Sequence, residues 1–195
     1  MPFNLLKKHI AKHITLSKEE LAIYCASFYP KTLSKKEYLL KQGAICKFEG
    51  YVTKGCLRVF TLDKNGKEHV LYFAVEDWWV TDIDSFTNGT PSYLSIQALE
   101  DSEVLLIDKE GKELLYETLP SIEKLFRVMS QKAMVVLQQR TISNNSKTAE
   151  ERYLDFIEKY PHIVQRLTNL QLASYLGITH EFLSKIRSKI ISKKQ

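Results

Sequence analysis

The sequence is poor in cysteine and has no long apolar run. Its three cysteines, Cys25, Cys46 and Cys56, are far apart and form no Cys-x-x-Cys pair. An iron–sulfur cluster normally needs four clustered cysteines, which excludes that site, and no catalytic or metal site is predicted. No apolar run approaches the roughly 18 residues of a membrane span, and the N-terminus lacks the apolar segment of a signal peptide. We therefore expect reduced thiols, a cytoplasmic location and no membrane partner.

Basic residues outnumber acidic ones only modestly. The chain of 195 residues has a formal net charge of +5, with 44% hydrophobic and 26% charged residues. This composition is typical of a globular protein with one large or two small domains. The excess of lysine and arginine lies at the C-terminus, where it favours a nucleic-acid partner if it accompanies a suitable motif.

The segment NLQLASYLGITHEFLSKIRSKI, residues 169–190, has the spacing of a helix-turn-helix. Thr168 and Gln171 predict a capping box at the start of the first helix. Gly177 fits the left-handed residue that ends this helix, and Thr179 predicts the cap of the second helix. The residues expected to pack between the helices are Leu172, Ala173, Leu176, Ile178, Leu183 and Ile186.

The second helix then presents polar and basic side chains to solvent. Lysine donates to guanine, glutamate accepts from cytosine, and serine or threonine serves either base, while arginine and lysine bind phosphates. The alternative is an ordinary helix pair with a solvated basic face. The predicted DNA contacts are Thr168, Thr179, His180, Glu181, Ser184, Lys185, Arg187, Ser188 and Lys189, with Lys193 and Lys194 as further phosphate contacts.

Residues from about 31 to 108 predict short antiparallel strands. They are rich in β-branched and aromatic residues and are punctuated by glycines, which is typical of a sandwich or barrel. Asn65-Gly66 between two apolar runs predicts a two-residue hairpin. Upstream, a capping box at Ser17 predicts a helix that ends at Pro30. Because helices flank these strands, the predicted fold class is α+β.

A long helix is predicted from Ser121 to about Ser143, and its apolar residues recur with coiled-coil-like spacing. The alternative is a helix buried wholly within its own chain. The sequence SNNS, residues 143–146, is the predicted hinge. The predicted domains are residues 1–120 with the strands, 121–145 with the long helix and hinge, and 146–195 with the helix-turn-helix. The predicted dimer residues are Ile122, Leu125, Met129, Ala133, Val136 and Arg140.

This order of elements resembles the Crp/Fnr family of bacterial transcription regulators over nearly the whole chain. The resemblance is carried by KQGAICKFEGYVTKGCLRVF, by the Asn65-Gly66 hairpin and by LASYLGITHEFLSKI. It implies an N-terminal antiparallel β-roll of the cyclic nucleotide-binding type, a long dimerisation helix and a winged-helix-like DNA-binding domain. It also implies a homodimer on double-stranded DNA, with RNA polymerase as a further partner. The family's base-reading positions correspond to His180, Glu181 and Lys185, and only Glu181 is the usual residue type.

Residues 76–101 correspond to the family's phosphate-binding segment, and they depart from the family's pattern. Val80-Thr81 stands where the family has Gly-Glu, Ser92-Tyr93 where it has Arg-Ser, and Val136-Leu137 where the long helix has a polar pair. No arginine lies between Arg58 and Arg127, and burying a phosphate without a cation is costly. We therefore predict that cAMP is not the effector, and we expect no cofactor.

Aromatic residues beside this segment suggest a pocket for a different effector. The alternative is that they fill the core of the roll. Asp82 and Asp84 are predicted to be solvated loop acids rather than metal ligands. The predicted pocket residues are Trp78, Trp79, Thr81, Ser92, Tyr93, Val136 and Leu137.

The leading hypothesis is a sequence-specific DNA-binding transcription regulator that is not an enzyme. A second hypothesis is a small-molecule-sensing roll that no longer binds DNA, which the intact helix-turn-helix spacing disfavours. A third is a cupin-like metalloenzyme. Such enzymes place His-x-His and a glutamate on roll strands, whereas His69 is the one histidine of this region.

Overall fold

The computed structural model describes residues 3–192. Its first elements are two helices, α1 (Phe3–Ala11) and α2 (Lys18–Ala26). Helix α1 was not predicted from the sequence. Its buried Leu6 and Ile10, four residues apart, hold it against the strands that follow. The predicted capping box at the start of α2 is present, with the backbone N–H of Glu20 donating to Ser17 Oγ at 3.1 Å.

The prediction that this helix ends at Pro30 was wrong. The helix ends at Ala26, and Pro30 lies inside the first strand, β1 (Tyr29–Leu33). This strand is at the edge of its sheet, where a residue without an N–H is tolerated because one side of the strand needs no partner.

The next elements are β2 (Tyr38–Leu40), β3 (Glu49–Lys54), β4 (Leu57–Leu62), β5 (Glu68–Ala74), β6 (Trp79–Val80), α3 (Ile83–Asn88), β7 (Ser95–Ala98) and β8 (Ser102–Ile107). Over residues 3–192, eight strands form two four-stranded antiparallel sheets, in the orders β1-β8-β3-β6 and β2-β7-β4-β5. Apolar side chains between the sheets, such as Val52, Leu57 and Ile96, form the core of the roll. A short helix, α3, connects the two sheets after β6.

Two turns fix the register of these strands. The predicted hairpin at Asn65-Gly66 joins β4 to β5, although its loop spans residues 63–67 rather than two residues. The Asp63 carboxylate accepts from the backbone N–H groups of Asn65 and Lys67 and so organises the longer loop. Between β3 and β4, Gly55 has φ +97° and an added Cβ would lie 2.2 Å from Ser102 Oγ, so only glycine fits this close approach.

Two helices follow the roll, α4 (Lys109–Thr118) and α5 (Pro120–Ser146). The 27 residues of α5 span about 40 Å, and Pro120 occupies a first-turn position where its missing N–H costs nothing. The prediction of a hinge at residues 143–146 was wrong, because these residues are helical and the helix ends at Ser146, followed by Lys147 and Thr148 outside any helix. The helix continues because its hydrogen bonds outweigh the turn preference of serine and asparagine.

The C-terminal part of the described chain is helical. It consists of α6 (Ala149–Lys159), α7 (Pro161–Val164), α8 (Asn169–Leu176) and α9 (His180–Ser192). Within residues 108–192 no strand accompanies these helices, so the wing of the predicted winged-helix-like domain has no counterpart there. Over residues 3–192 no helix has the length and apolar character needed to cross a membrane.

The C-terminal helices and the roll share one hydrophobic core. Alternate residues of β4 point to opposite faces, so Leu57 packs inside the roll while Cys56 and Phe60 face the helices. Phe156 from α6 stacks against Phe73 of β5, with ring centroids 6.4 Å apart. The predicted domain boundaries at residues 120 and 145 stay a prediction. The roll and the C-terminal helices, which lie on either side of them, are in direct contact.

Candidate nucleic-acid interface

The α8–α9 pair has the predicted helix-turn-helix geometry. Thr168 and Gln171 form the capping box at the start of α8, and Gly177 ends it in the left-handed conformation with φ +68°. The N–H of Ile178 donates to the carbonyl of Ala173 at 3.0 Å, which closes the turn. These local interactions fix the angle between the two helices.

The inward face of the pair is apolar, as predicted. Leu183 and Ile186 of α9 pack on the apolar face of α8, and Ile178 in the turn is half-buried rather than fully buried. Thr179 caps α9, because its Oγ1 accepts from the N–H of Phe182 at 3.2 Å. The buried residues of the pair are Leu172, Ala173, Leu176, Leu183 and Ile186.

The outward face of α9 begins with charged residues. Hydrogen bonds from its own backbone N–H and from Thr179 lower the pKa of the Glu181 carboxyl, so this acceptor is ionised at neutral pH. Lys185, one turn later, lies on the same face. Of the predicted DNA contacts, Thr168, Thr179, His180, Glu181, Lys185, Ser188 and Lys189 are exposed, and Ser184 is half-buried.

Two predicted phosphate contacts make contacts inside the domain. Arg187 Nε donates to the hydroxyl of Tyr153 at 2.9 Å, and its guanidinium also donates to Asn169 Oδ1. Lys189 pairs with Glu150 at 2.5 Å. Arg187 therefore joins α9 to α6 and α8, while Lys189 remains exposed. The predicted contacts Lys193 and Lys194 lie outside the described residues.

Polar contacts that the sequence did not predict join α8 to the roll. Ser174 Oγ donates to the carbonyl of Glu68 at 2.7 Å and accepts from the N–H of Val70 at 3.1 Å, so α8 binds the edge of β5. Arg166, just before α8, pairs with Glu76 at 2.8 Å and also with Glu100. A serine on the first helix and an isolated arginine were the only signals in the sequence.

The long helix is divided between two environments. Ile122 and Leu125 were predicted to face a partner, but they are fully buried against the roll and the N-terminal helices. Met129 is half-buried in the same cluster. Arg140 is half-buried, and its guanidinium donates to the carbonyls of Val70 and Tyr175. The heptad pattern identified an apolar face without identifying what covers it.

The second half of α5 is exposed and apolar. Ala133 and Val136, two of the predicted dimer residues, are exposed. Beside them, Met134 is 72% exposed and Leu137 is 60% exposed. Single exposed apolar residues are common, but here consecutive helical positions are exposed, and Ala133, Val136 and Leu137 lie on one side of the helix. These exposed residues, 133–137 with Ile142, are hereafter called the exposed half of α5.

The predicted effector pocket is not assembled. Trp78 and Trp79 point to opposite sides of the sheet, since Trp78 packs toward Tyr160 while Trp79 packs on Tyr51. Tyr93 is 75% exposed. Val136 and Leu137 lie on the exposed half of α5, and Thr81 Oγ1 donates to the carbonyl of Phe48 at 2.9 Å. Trp78 packs against the core of the roll, which is the alternative that the sequence left open, whereas Trp79 packs outside that core among the N-terminal helices and α5.

A carboxylate occupies the centre of the phosphate-binding segment. Asp82 was predicted to be a solvated acid, but it is buried and caps α3 by accepting from the N–H of Ser85. The hydroxyl of Ser92 donates to Asp82 Oδ2 at 2.5 Å. Asp84 is exposed, as predicted, and within residues 3–192 no cluster of metal-binding side chains occurs.

The surface beside this carboxylate is an open cleft of about 530 Å³. Its lining includes Gln42, Asp84 and Tyr93, and none of its lining residues is lysine or arginine. The cleft therefore offers hydrogen-bonding groups and an acid rather than a cation.

Comparison with known proteins agrees with this geometry. Residues 30–118 match the family model for the cyclic nucleotide-binding domain. The transcriptional activator protein Anr of Pseudomonas protegens is 27% identical over 168 residues, which are 80% of this chain and 68% of that protein.

Solved structures show the same fold over most of the chain. FixK2 from Bradyrhizobium japonicum superposes with a TM-score of 0.75 at 17% identity and covers 86% of both chains. A CooA mutant from Carboxydothermus hydrogenoformans superposes with a TM-score of 0.72 at 17% identity, covering 95% of this chain and 84% of that one. The chain therefore combines a cyclic nucleotide-binding-type roll with a helix-turn-helix pair. It is similar in sequence to the transcriptional activator Anr and similar in fold to regulators of the Crp/Fnr type.

Proposed function

We propose that this regulator binds a two-fold DNA operator as a homodimer, without cAMP and without enzymatic activity. The observation that carries the proposal is the first turns of α9, where Glu181 and Lys185 are exposed while Leu183 and Ile186 anchor the helix. A second helix held at this angle, with its N-terminal residues free, suits insertion into a major groove.

The exposed half of α5 supports the homodimer. An apolar surface with Leu137 60% exposed is covered if the same helix of a second copy packs against it. A two-fold pair of α9 helices would then contact half-sites about 34 Å apart. The predicted partner-facing residues Ala133 and Val136 lie on this surface, whereas Ile122 and Leu125 serve the core of their own chain.

The closed phosphate-binding segment supports independence from cAMP. The carboxylate of Asp82 already accepts two hydrogen bonds, one from the N–H of Ser85 at the start of α3 and one from the hydroxyl of Ser92. A cyclic phosphate placed beside it would meet a negative charge without a compensating cation, which is unfavourable. The proposal includes no cofactor, and leaves the identity of any other effector open.

Similarity to regulators of the Crp/Fnr type supports the remaining parts of the proposal. Regulators of this class act on double-stranded DNA, so we place the protein in the cytoplasm and include RNA polymerase as a partner. The alternatives, a sensing roll without DNA binding and a cupin-like enzyme, have no supporting observation of their own. Among residues 3–192, His69 of β5 pairs with Asp63 at 3.1 Å and belongs to no metal cluster.

Selection of DNA from a random pool by the purified, ligand-free protein tests the proposal. We expect a palindrome whose half-sites are about one helical turn apart, and a dimer in analytical ultracentrifugation. Leu137→Glu should produce a monomer with intact secondary structure that no longer selects paired half-sites, whereas Ile83→Glu, at an exposed position outside α5, should leave the dimer unchanged. Absence of any enriched sequence would contradict the proposed function.

A further inference from the structure

We infer that Phe182 contacts the methyl group of a thymine in each half-site and thereby contributes to operator specificity. This inference rests on the proposed function. Phe182 is not among the DNA contacts predicted from the sequence. Its side chain has no group that could hydrogen-bond to a base. Its location in the folded domain provides the argument.

The backbone of Phe182 is fixed while its ring is free. Phe182 is the third residue of α9, and its N–H donates to Thr179 Oγ1 at 3.2 Å. Its side chain is 48% exposed, whereas the next residue, Leu183, is fully buried. The cap therefore holds the ring at the outer surface of the first helical turn, the part of a recognition helix that reaches base edges.

The surroundings of the ring are polar and charged. Phe182 follows Glu181 directly, and Lys185, three residues later, is its neighbour on the helix surface. An apolar ring among solvated charges loses its contact with water only when a partner covers it. Lys185 beside the ring favours an anionic partner, and a DNA groove is both anionic and deep enough to cover the ring.

Thymine provides the matching apolar group in that groove. Its C5-methyl projects into the major groove, and phenylalanine is one of the side chains that contact it. Glu181 and Lys185 can read neighbouring bases by hydrogen bonds, while Phe182 distinguishes thymine from cytosine by the presence of a methyl group. A second copy of the chain is a weaker candidate for covering Phe182, because the contiguous apolar surface suited to self-association lies on α5.

Deoxyuridine substitution in the selected operator tests this contact. Each thymine of a half-site is replaced in turn by deoxyuridine, which removes the methyl and keeps the base pair. We expect one position at which wild-type affinity falls about four-fold, the factor for one buried methyl group. Phe182→Ala should bind the thymine and deoxyuridine operators equally, and Phe182→Leu should retain part of the preference. Ile191→Ala, on the last turn of α9 and 63% exposed, should behave like wild type.

The outcomes separate the two levels of the argument. Specific DNA binding without any methyl-sensitive position, or a methyl effect that persists in Phe182→Ala, would overturn the role of Phe182 and leave the proposed function intact. A changed sedimentation coefficient of free Phe182→Ala would show that the ring covers a protein interface, and would also overturn it. Failure of the wild-type protein to select DNA would overturn both.

Discussion

Two helix starts in this chain have similar caps and very different surroundings. At α3, Asp82 accepts from the backbone N–H of Ser85, and at α9, Thr179 accepts from the N–H of Phe182. Asp82 is buried and also accepts from Ser92, whereas Thr179 and the three residues after it are exposed. One helix start therefore has its hydrogen bonds satisfied within the chain, and the other leaves its side chains available.

This difference indicates which part of the molecule meets an external ligand. A phosphate site needs free N–H groups and a cation, and at α3 an internal carboxylate takes the place of the phosphate. A DNA-reading helix needs a rigid backbone and free side chains, and α9 has both. Under the proposed function, the cyclic nucleotide-binding-type fold is retained while the contact between Ser92 and Asp82 lies where a phosphate would be held.

The largest expected effect comes from removing the exposed charges of α9. Glu181→Ala combined with Lys185→Ala should weaken binding to the selected operator about 100-fold, since each base contact contributes about 1–3 kcal/mol. Fluorescence anisotropy at fixed salt measures the loss. Lys159→Ala, which removes an exposed lysine from α6 of the same domain, should change affinity only slightly. Equal losses in both variants would mean that charge alone, rather than the face of α9, drives binding.

A smaller effect, on stability, is expected from removing the Asp82 carboxylate that caps α3. Asp82→Ala removes a helix cap and one of the two acceptors of the buried Ser92 hydroxyl, which keeps the carbonyl of Leu94 at 2.9 Å. The free energy of unfolding should therefore fall by about 1–2 kcal/mol. Urea titration followed by circular dichroism measures this change. Asp84→Ala, at an exposed position two residues later, should cost about 0.5 kcal/mol or less. Equal stability of the two variants would show that the carboxylate of Asp82 has no structural role.

A third prediction concerns the ion pairs that join the C-terminal helices to the roll. Arg166 binds Glu76 and Glu100 of the roll, and Arg166→Ala should weaken the packing of the C-terminal helices by about 1 kcal/mol, the upper range for a partly exposed pair. Burial raises the pKa of Cys56, in the shared core, to about 12. Its alkylation should therefore be slow in wild type and about five-fold faster in the variant. Cys46, in the roll's own core, serves as the internal control and should not change.

Acid should weaken the same contact. Burial acts to raise the pKa of Glu76, but hydrogen bonds from Arg166 and Gly55 outweigh it, so the net pKa lies below the ordinary value of 4.5. The stabilisation is thus complete above pH 4.5 and lost as pH falls through the lowered pKa. Fluorescence of Trp78, whose ring lies 5.6 Å from that of Tyr160, should report this loss in a Trp79→Phe background. A transition of equal size in Arg166→Ala would exclude this ion pair as its cause.

Local interactions account for what the sequence predicted well. The capping box at Thr168, the left-handed Gly177 and the Asn65-Gly66 hairpin each depend on residues within a few positions of one another. The buried face of α9 follows from helical periodicity in the same way. These features placed the helix-turn-helix and the roll before any tertiary contact was known.

Non-local packing accounts for what the sequence missed. An apolar stripe on α5 does not state whether its partner is the roll or a second copy, so Ile122 and Leu125 were assigned to the wrong surface. Residue type alone suggested a phosphate contact for Arg187, which instead donates to Tyr153 from another helix. Asp82 reads as a loop acid until Ser92 is placed beside it.

The effect of cAMP on DNA affinity tests the central claim most directly. The dissociation constant of the ligand-free protein for its selected operator is measured at physiological salt, with and without excess cAMP. The first turn of α9 is exposed, and the carboxylate of Asp82 already accepts from Ser92 at the start of α3. We therefore predict specific binding with the same dissociation constant in both conditions. Binding that appears only with cAMP, or that tightens ten-fold or more on its addition, would contradict the account.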